Sequence, residues 1–242
     1  MLARIMQLAE PALAANSANQ ASRAFFTSLE PYGATYLQTR HYLRPAATLT
    51  SQSHFAAGGV IARIAISPQW PYSDAFNYVC FAQNPLLKPI KEGRTRYLFS
   101  DFAPHKDKTY GNYWDAYSQA KIGDAICATS YGAGNAIASL HLGFERNEFP
   151  QDEIFAFQMA GLVLTEKLMT MGELPQQETL NLTERERDCM AFVAEGKTDW
   201  EISVILGISS DTARFHVDNA RRKLGATNRT QAVAKLVNMR II

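Results

Sequence analysis

An α+β protein in two parts is what this sequence predicts: an N-terminal α/β/α sandwich with an antiparallel sheet, then an all-α domain of four helices carrying a helix-turn-helix. Three observations predict it. Segments of alternating apolar and polar residues recur in the first part. After Thr183 every apolar pattern has the helical period. Between the two lies "MGELPQQETLNLT", Met171 to Thr183, whose glycine, proline and polar run read as a linker. The expected boundaries are 1–171 for a sensor or dimerisation domain, 172–180 for the linker and 181–242 for the helical domain.

Each element has its own signal. Helices are expected over the first 30 residues. "ATYLQTRHYL" (Ala34 to Leu43) and "GVIARIAIS" (Gly59 to Ser67) alternate like half-buried strands, and Arg96 to Phe99 reads as a short one. Trp114 to Ala120 reads as a helix. "AICATS" and "AIASLHLGF" flank "YGAGN", a hairpin signal with two glycines in the connection. Gln151 to Gly172 opens on acids, closes on glycine and repeats Ile154, Phe157, Leu164 and Leu168 near the helical period.

In the helical part, Thr183 and Glu186 form a capping box for a helix reaching about Ala194, where Gly196 stops it. Thr198 or Asp199 caps "WEISVIL", which ends at Gly207. Ser209 caps "SDTARFHVDNARRKL", and "RTQAVAKLVNM" closes the set. Ile202, Ile205, Ile208, Ala213, Val217 and Leu224 are the expected core.

Composition narrows the function classes. The 242 residues are 47% hydrophobic and 19% charged, the balance of a soluble globular protein. No run of 18 apolar residues suggests a membrane span, and the N-terminus lacks a signal-peptide core. Cys80, Cys127 and Cys189 form no paired or His-linked cluster, so no zinc site or disulfide framework is indicated, and a reducing cytoplasm suits them. No nucleophile–base spacing stands out, and "YGAGN" lacks the strand-loop-helix context of a phosphate cradle, so no enzyme, cofactor or metal is expected. With a net charge of +1, affinity for nucleic acid must come from a local basic patch.

The helix-turn-helix supplies that patch. Two helices joined by the short Leu206–Ser209 turn cross steeply, and the start of the second can reach base edges in a major groove of double-stranded DNA. Arg214 is the expected base contact, because its fork matches guanine O6 and N7. Ser209 and Thr212 suit phosphate through hydroxyls and helix-terminal amides. Arg222, Lys223 and Arg229 would supply the salt-dependent contacts. Thr198, Lys197 and Trp200 would touch the backbone from the scaffold side, Trp200 being equally suited to packing. Arg214, Phe215, Asp218, Arg221 and Arg222 are expected to face outward. Asp218 would accept from a cytosine amine or pair with Arg214 or Arg222, while His216 reads as a structural histidine.

"LTERERDCMAFVAEGKTDWEISVILGISSDTARFHVDNARRKLGATNRTQAV" resembles the DNA-binding domain of LuxR-type regulators. The landmarks are Leu182-Thr183, Glu184-Arg185-Glu186, Gly196-Lys197-Thr198, Glu201-Ile202, Leu206-Gly207, Ser209, Thr212, His216, Lys223-Leu224-Gly225, Asn228-Arg229 and Ala232-Val233. The whole layout is similar to the quorum-sensing branch of that family, where a sandwich domain binds an acyl-homoserine lactone. The resemblance implies a cytoplasmic homodimer that binds DNA and a small apolar signal of that kind or a variant of it.

In that branch a tryptophan and a tyrosine hold the lactone, an aspartate before proline takes its amide, and a later tryptophan lines the head-group pocket. Trp70 falls one residue from the first tryptophan, Asn84-Pro85 stands for Asp-Pro, Phe99 falls at the later tryptophan, Ala125 replaces a glycine, and His141 lies near a ligand-contacting hydroxyl. Trp70, Tyr72, Asn84, Phe99, Trp114 and His141 are thus the implied ligand contacts, with Tyr78, Phe81 and Tyr113 as further lining candidates. Asp74, Asp101 and Asp124 read as surface or turn residues. Asn84 can accept from an amide only through a neutral carbonyl, a weaker bond than a carboxylate makes. That departure motivates an alternative: a ligand-independent regulator whose N-terminal domain serves dimerisation, or heterodimerisation with a related regulator. A phosphorelay receiver would need an acidic pair, an acceptor aspartate and alternating βα units, which the first 171 residues do not show.

Overall fold

The structure is a computed structural model and describes residues 1–44, 49–171 and 182–238. The chain divides into two compact units, the first ending at Leu174 and the second running in the main from Pro175 to Ile242. The expected linker, 172–180, lies outside the described residues.

The first unit is built on five antiparallel strands in the order β2-β1-β5-β4-β3. They are β1 (Ala34–Leu43), β2 (Val60–Ala65), β3 (Arg96–Leu98), β4 (Asp124–Tyr131) and β5 (Ala136–Phe144). β1 and β5 keep the bounds expected from their alternation. β3 stops one residue early because Phe99 enters a 3-10 turn, where the Asp101 carboxylate accepts from the Leu98 amide at 2.8 Å.

Helices cover both faces. On one lie α1 (Leu2–Leu13), α2 (Ala18–Leu29) and α7 (Gln151–Met171), packing Phe25, Leu29, Phe157, Leu164 and Leu168 against Leu37, Ile126, Leu140 and Phe144. Ser17 caps α2 by accepting from the Gln20 amide at 3.2 Å. α7 is apolar and long enough to cross a bilayer by composition alone, yet its Phe157, Leu164 and Leu168 are buried on the sheet. Gly161 permits that close approach: a Cβ there would lie 2.9 Å from both Ala128 and Leu140 side-chain atoms.

The other face carries α3 (Ser51–Ala56), α4 (Asp74–Asn77), α5 (Leu87–Lys91), α6 (Gly111–Ser118) and a π-helical turn at Tyr78–Ala82. α6 begins three residues before the expected Trp114 and stops two residues before Ala120. The period of β1 sends Leu37 and Thr39 toward α2 and Tyr36, Gln38, Arg40 and Tyr42 toward these short helices.

The second unit consists of α8 (Glu184–Ala194), α9 (Asp199–Leu206), α10 (Ser210–Lys223) and α11 (Arg229–Asn238). Capping boxes at Thr183/Glu186 and Thr198/Glu201 start α8 and α9, so Thr198 rather than Asp199 is the cap. Gly207 ends α9 in the left-handed region at φ 64°, where a glycine carries no Cβ penalty. Ser209 caps α10, accepting from the Thr212 amide at 3.0 Å. Ile202, Ala213, Val217 and Leu224 are buried with Cys189, Met190 and Leu236. Ile205 does not join them: it is exposed, because the helical turn places it beside Val204 on the outer face. The chain thus has the expected α+β class, a sandwich followed by four helices.

Candidate functional site

A cavity of about 50 Å³ lies in the first unit, between the sheet and the short helices α3 to α5. Strand register builds its floor. Arg40 stands opposite Ser139 on β5, which stands opposite Thr129 on β4. In the next row Gln38, His141 and Cys127 are aligned in the same way. The walls are aromatic, with Trp70 edge-on to Tyr36 at 5.7 Å and Phe99 edge-on to His141 at 5.2 Å.

The polar groups are densely connected. Arg40 is 2% exposed. Its Nε donates to the Gly58 carbonyl at 3.1 Å, its Nη2 to the carbonyls of Gly58 and His54 at 2.6 and 2.8 Å, and its Nη1 meets His54 Nε2. Its guanidinium also lies 4.3 Å from the Tyr42 ring centroid. Burial, reinforced by Arg40, holds the His54 imidazole down to about 3 and that of His141 down to about 4, so both are neutral at pH 7. His141 Nε2 and the Tyr97 hydroxyl are 3.2 Å apart.

Of the six expected ligand contacts, Trp70, Asn84, Phe99 and His141 line this cavity. Two do not. Tyr72 is 84% exposed, because it follows Pro71 in a 3-10 turn that points it to solvent. Trp114 sits outside the cavity, its indole N–H donating to the Ala103 carbonyl at 3.0 Å and its ring stacked on His105. Tyr78, Phe81 and Tyr113 also lie off the lining. The polar ends of two lining residues serve the fold itself. Trp70 Nε1 donates to the Ala116 carbonyl at 2.9 Å, while Asn84 donates to the Cys80 carbonyl and accepts from the Leu86 amide. Asp124 is fully buried rather than superficial. Its carboxylate accepts from the Ser100 amide and hydroxyl and from the Ala125 amide, and burial still raises its pKa.

Sequence reasoning missed Arg40, Tyr42 and His54. The signal for the first two was present: strict alternation places Tyr36, Gln38, Arg40 and Tyr42 on one face of β1. Among the described residues no group of three His, Cys, Asp or Glu side chains could hold a metal ion.

The second unit carries its candidate site on α10. Arg214 is exposed one turn into the helix and makes no hydrogen bond or ion pair among the described residues. Phe215 is 58% exposed beside it, and Trp200 on α9 is 66% exposed. The Ser209 and Thr212 hydroxyls lie 2.7 Å apart at the helix start. The remaining basic groups are more committed than expected. Arg221, rather than Arg214 or Arg222, pairs with Asp218, at 3.4 Å, and its second bond, to the Ala226 carbonyl, holds it there. Arg222 is exposed and bonds Asn219. Lys223 holds the buried Glu186 carboxylate at 2.7 Å. Burial pushes the Glu186 carboxyl up, but the Lys223 ammonium and the Thr183 amide outweigh it and hold it below its ordinary value. Arg229 reaches Asp199 at 3.4 Å and the Lys197 carbonyl at 3.1 Å, tying α11 to the start of α9. The Thr198 hydroxyl is engaged with Glu201 in its capping box.

Parts of the chain are similar to known proteins. Residues 180–236 match the family of bacterial regulatory proteins of luxR type. The transcriptional activator LuxR of Aliivibrio fischeri is 49% identical over 57 residues, 24% of this chain and 23% of that protein. SolR of Ralstonia solanacearum, also a transcriptional activator, is 35% identical over 132 residues, 51% of this chain and 55% of that protein. The chain therefore spans at most about half the length of these relatives in the matched stretches. The crystal structure of Escherichia coli SdiA is similar at a TM-score of 0.64 and 20% identity, covering 100% of this chain and 98% of that one. A second SdiA structure, in complex with octanoyl-rac-glycerol, is similar at a TM-score of 0.62 and 21% identity, covering 98% and 94%. That likeness shows the fold.

Proposed function

We infer, from the premise that the C-terminal domain belongs to the luxR family of bacterial regulatory proteins, that this chain is a cytoplasmic transcription regulator. It binds double-stranded DNA through α10 and answers a small molecule in the cavity of its first unit. One observation carries the reading. A capped helix of a family DNA-binding domain presents on its outer face a guanidinium, Arg214, that is unpaired among the described residues. In this reading Arg214 reads a base edge, Ser209 and Thr212 hold phosphate, and Arg222 supplies non-specific attraction. Phe215 flanks the base contact. Lys223, Arg229, Thr198 and Asp218 act chiefly by fixing the helices that carry it.

Two copies would pair and read half-sites about one helical turn apart. A signal would act by binding one dimer geometry better than the other. The reading needs no catalytic step. A solved protein of this fold holds octanoyl-rac-glycerol, which supports an acyl-sized or smaller signal. Selection of bound sites from random duplexes by the full chain, at about 0.15 M salt where screening is physiological, tests the DNA half. Enrichment of one inverted repeat is expected. Recovery of unselected sequence, with and without signals, overturns it.

A second reading has its own support. Trp70 and Asn84, which the family resemblance assigns to a lactone, spend their polar groups on Ala116, Cys80 and Leu86. A first unit that serves only dimerisation, with itself or a related regulator, would look like this. Thermal-shift measurements with acyl-homoserine lactones separate the two readings: saturating ligand at a hundred times its Kd stabilises by about 2.7 kcal/mol.

A further inference from the structure

We propose that the cavity of the first unit receives a small organic acid, its carboxylate bound by Arg40. The proposal rests on the reading of that unit as a signal-binding domain and names the class of signal.

The first support is an uncompensated charge. Arg40 is buried at the cavity floor with only neutral groups as partners among the described residues, two carbonyls and an imidazole nitrogen. No Asp or Glu lines the cavity. Arg63, one strand away on the same face, bonds Gln38 at 2.8 Å, and no carboxylate pairs with it among the described residues either. Burying a charge without a counter-charge is costly, and an anionic ligand removes that cost.

The second support is a count of donors. A guanidinium has five N–H groups and accepts nothing. Four of those on Arg40 are placed: one on Nε, two on Nη2 and one on Nη1. The second Nη1 hydrogen is left over. Because Arg40 only donates, His54 Nε2 must accept, and the neutral His54 ring therefore carries its proton on Nδ1. That Nδ1 is buried without a hydrogen-bond partner among the described residues, and so is the Tyr42 hydroxyl. His54 and Tyr42 both line the cavity and are 8% and 2% exposed. Residues that line the cavity thus carry three donors unspent among the described residues, beside one cation. A carboxylate, with about four lone-pair sites on two oxygens, matches that set. An uncharged ester or amide brings one carbonyl acceptor and no charge. The volume of about 50 Å³, well below the roughly 150 Å³ of a benzene site, favours an acid with a short aliphatic tail.

The test uses the full chain and matched probes: acetate and propionate, their primary amides, and N-hexanoyl-homoserine lactone. Thermal shift and titration calorimetry give affinities. Each acid is expected to bind at least about tenfold tighter than its amide, as a buried charge pair requires. Arg40→Met should abolish that preference. Ser139→Glu is the second variant, because it places a carboxylate in the register position opposite Arg40 and should expel added acids without removing the arginine. Acid and amide binding equally to the unmodified chain overturns the inference, whatever either variant does. A lactone that binds equally to the unmodified chain and Arg40→Met, with no acid binding, also overturns it while leaving the signal-responsive reading intact. A chain that selects its operator but binds none of the probes overturns the inference and leaves only the DNA half of that reading.

Discussion

Among the described residues neither Arg40 nor Arg214 has a carboxylate partner, and their surroundings make them opposites. Arg214 stands in water on α10, where an unpaired guanidinium costs little and remains available to a base edge. Arg40 stands 2% exposed on β1, where backbone carbonyls, an imidazole and an aromatic face share the cost of its burial. In the proposed reading, the unpaired charge on the surface meets a polyanion outside, and the one inside the cavity meets a small anion that enters.

That contrast can be broken by experiment. The largest expected effect is on stability. Arg40→Ala should destabilise the first unit by about 2–4 kcal/mol, through the lost stem packing and the orphaned carbonyls of Gly58 and His54. Denaturant unfolding measures it, and a neutral result would remove Arg40 from the fold's polar network. Arg214→Ala should leave unfolding within about 0.5 kcal/mol of the parent, as for an exposed side chain. It should instead cost about 1–3 kcal/mol in operator affinity and relax one base position. If operator choice survives, base reading lies elsewhere on α10.

Acid should reveal the cavity before it affects the helix. The unfolded imidazoles titrate at about 6.5, while His54 and His141 in the fold titrate at about 3 and about 4. Below pH 6.5 the unfolded state therefore binds more protons, and stability falls with falling pH. The slope is at most about 1.4 kcal/mol per pH unit for each ring. Melting curves between pH 7 and 5 test this, and His141→Gln should flatten them. The smallest effect belongs to Arg222→Ala, which should weaken all DNA sequences alike and reduce the salt slope by about one. A sequence-dependent loss would promote Arg222 to a base contact.

The two regions were not equally legible in the sequence. The caps at Thr183, Ser209 and Gly207 depend on contacts within a few residues, and the core positions Ile202, Ala213 and Val217 follow the helical period, so spacing announced both. Asp218 shows where even this failed. Arg221, Arg222 and Arg214 all lie within helical reach of it, and only side-chain packing chose Arg221.

The sequence by itself determined the order of the strands and the longer helices, the ends of β1 and β5 and the capped helices of the second unit, because periodicity, caps and turn residues act locally, whereas the short helices α3 to α5 carried no such signal. Only the tertiary structure decided what those elements enclose. Strand register set Arg40 beside Ser139 and Thr129, the fold closed Gly58 and His54 over it, and Asp124 was buried while Tyr72 was turned outward. The partners of a buried polar group come from distant parts of the chain, and no local pattern specifies which of them will meet.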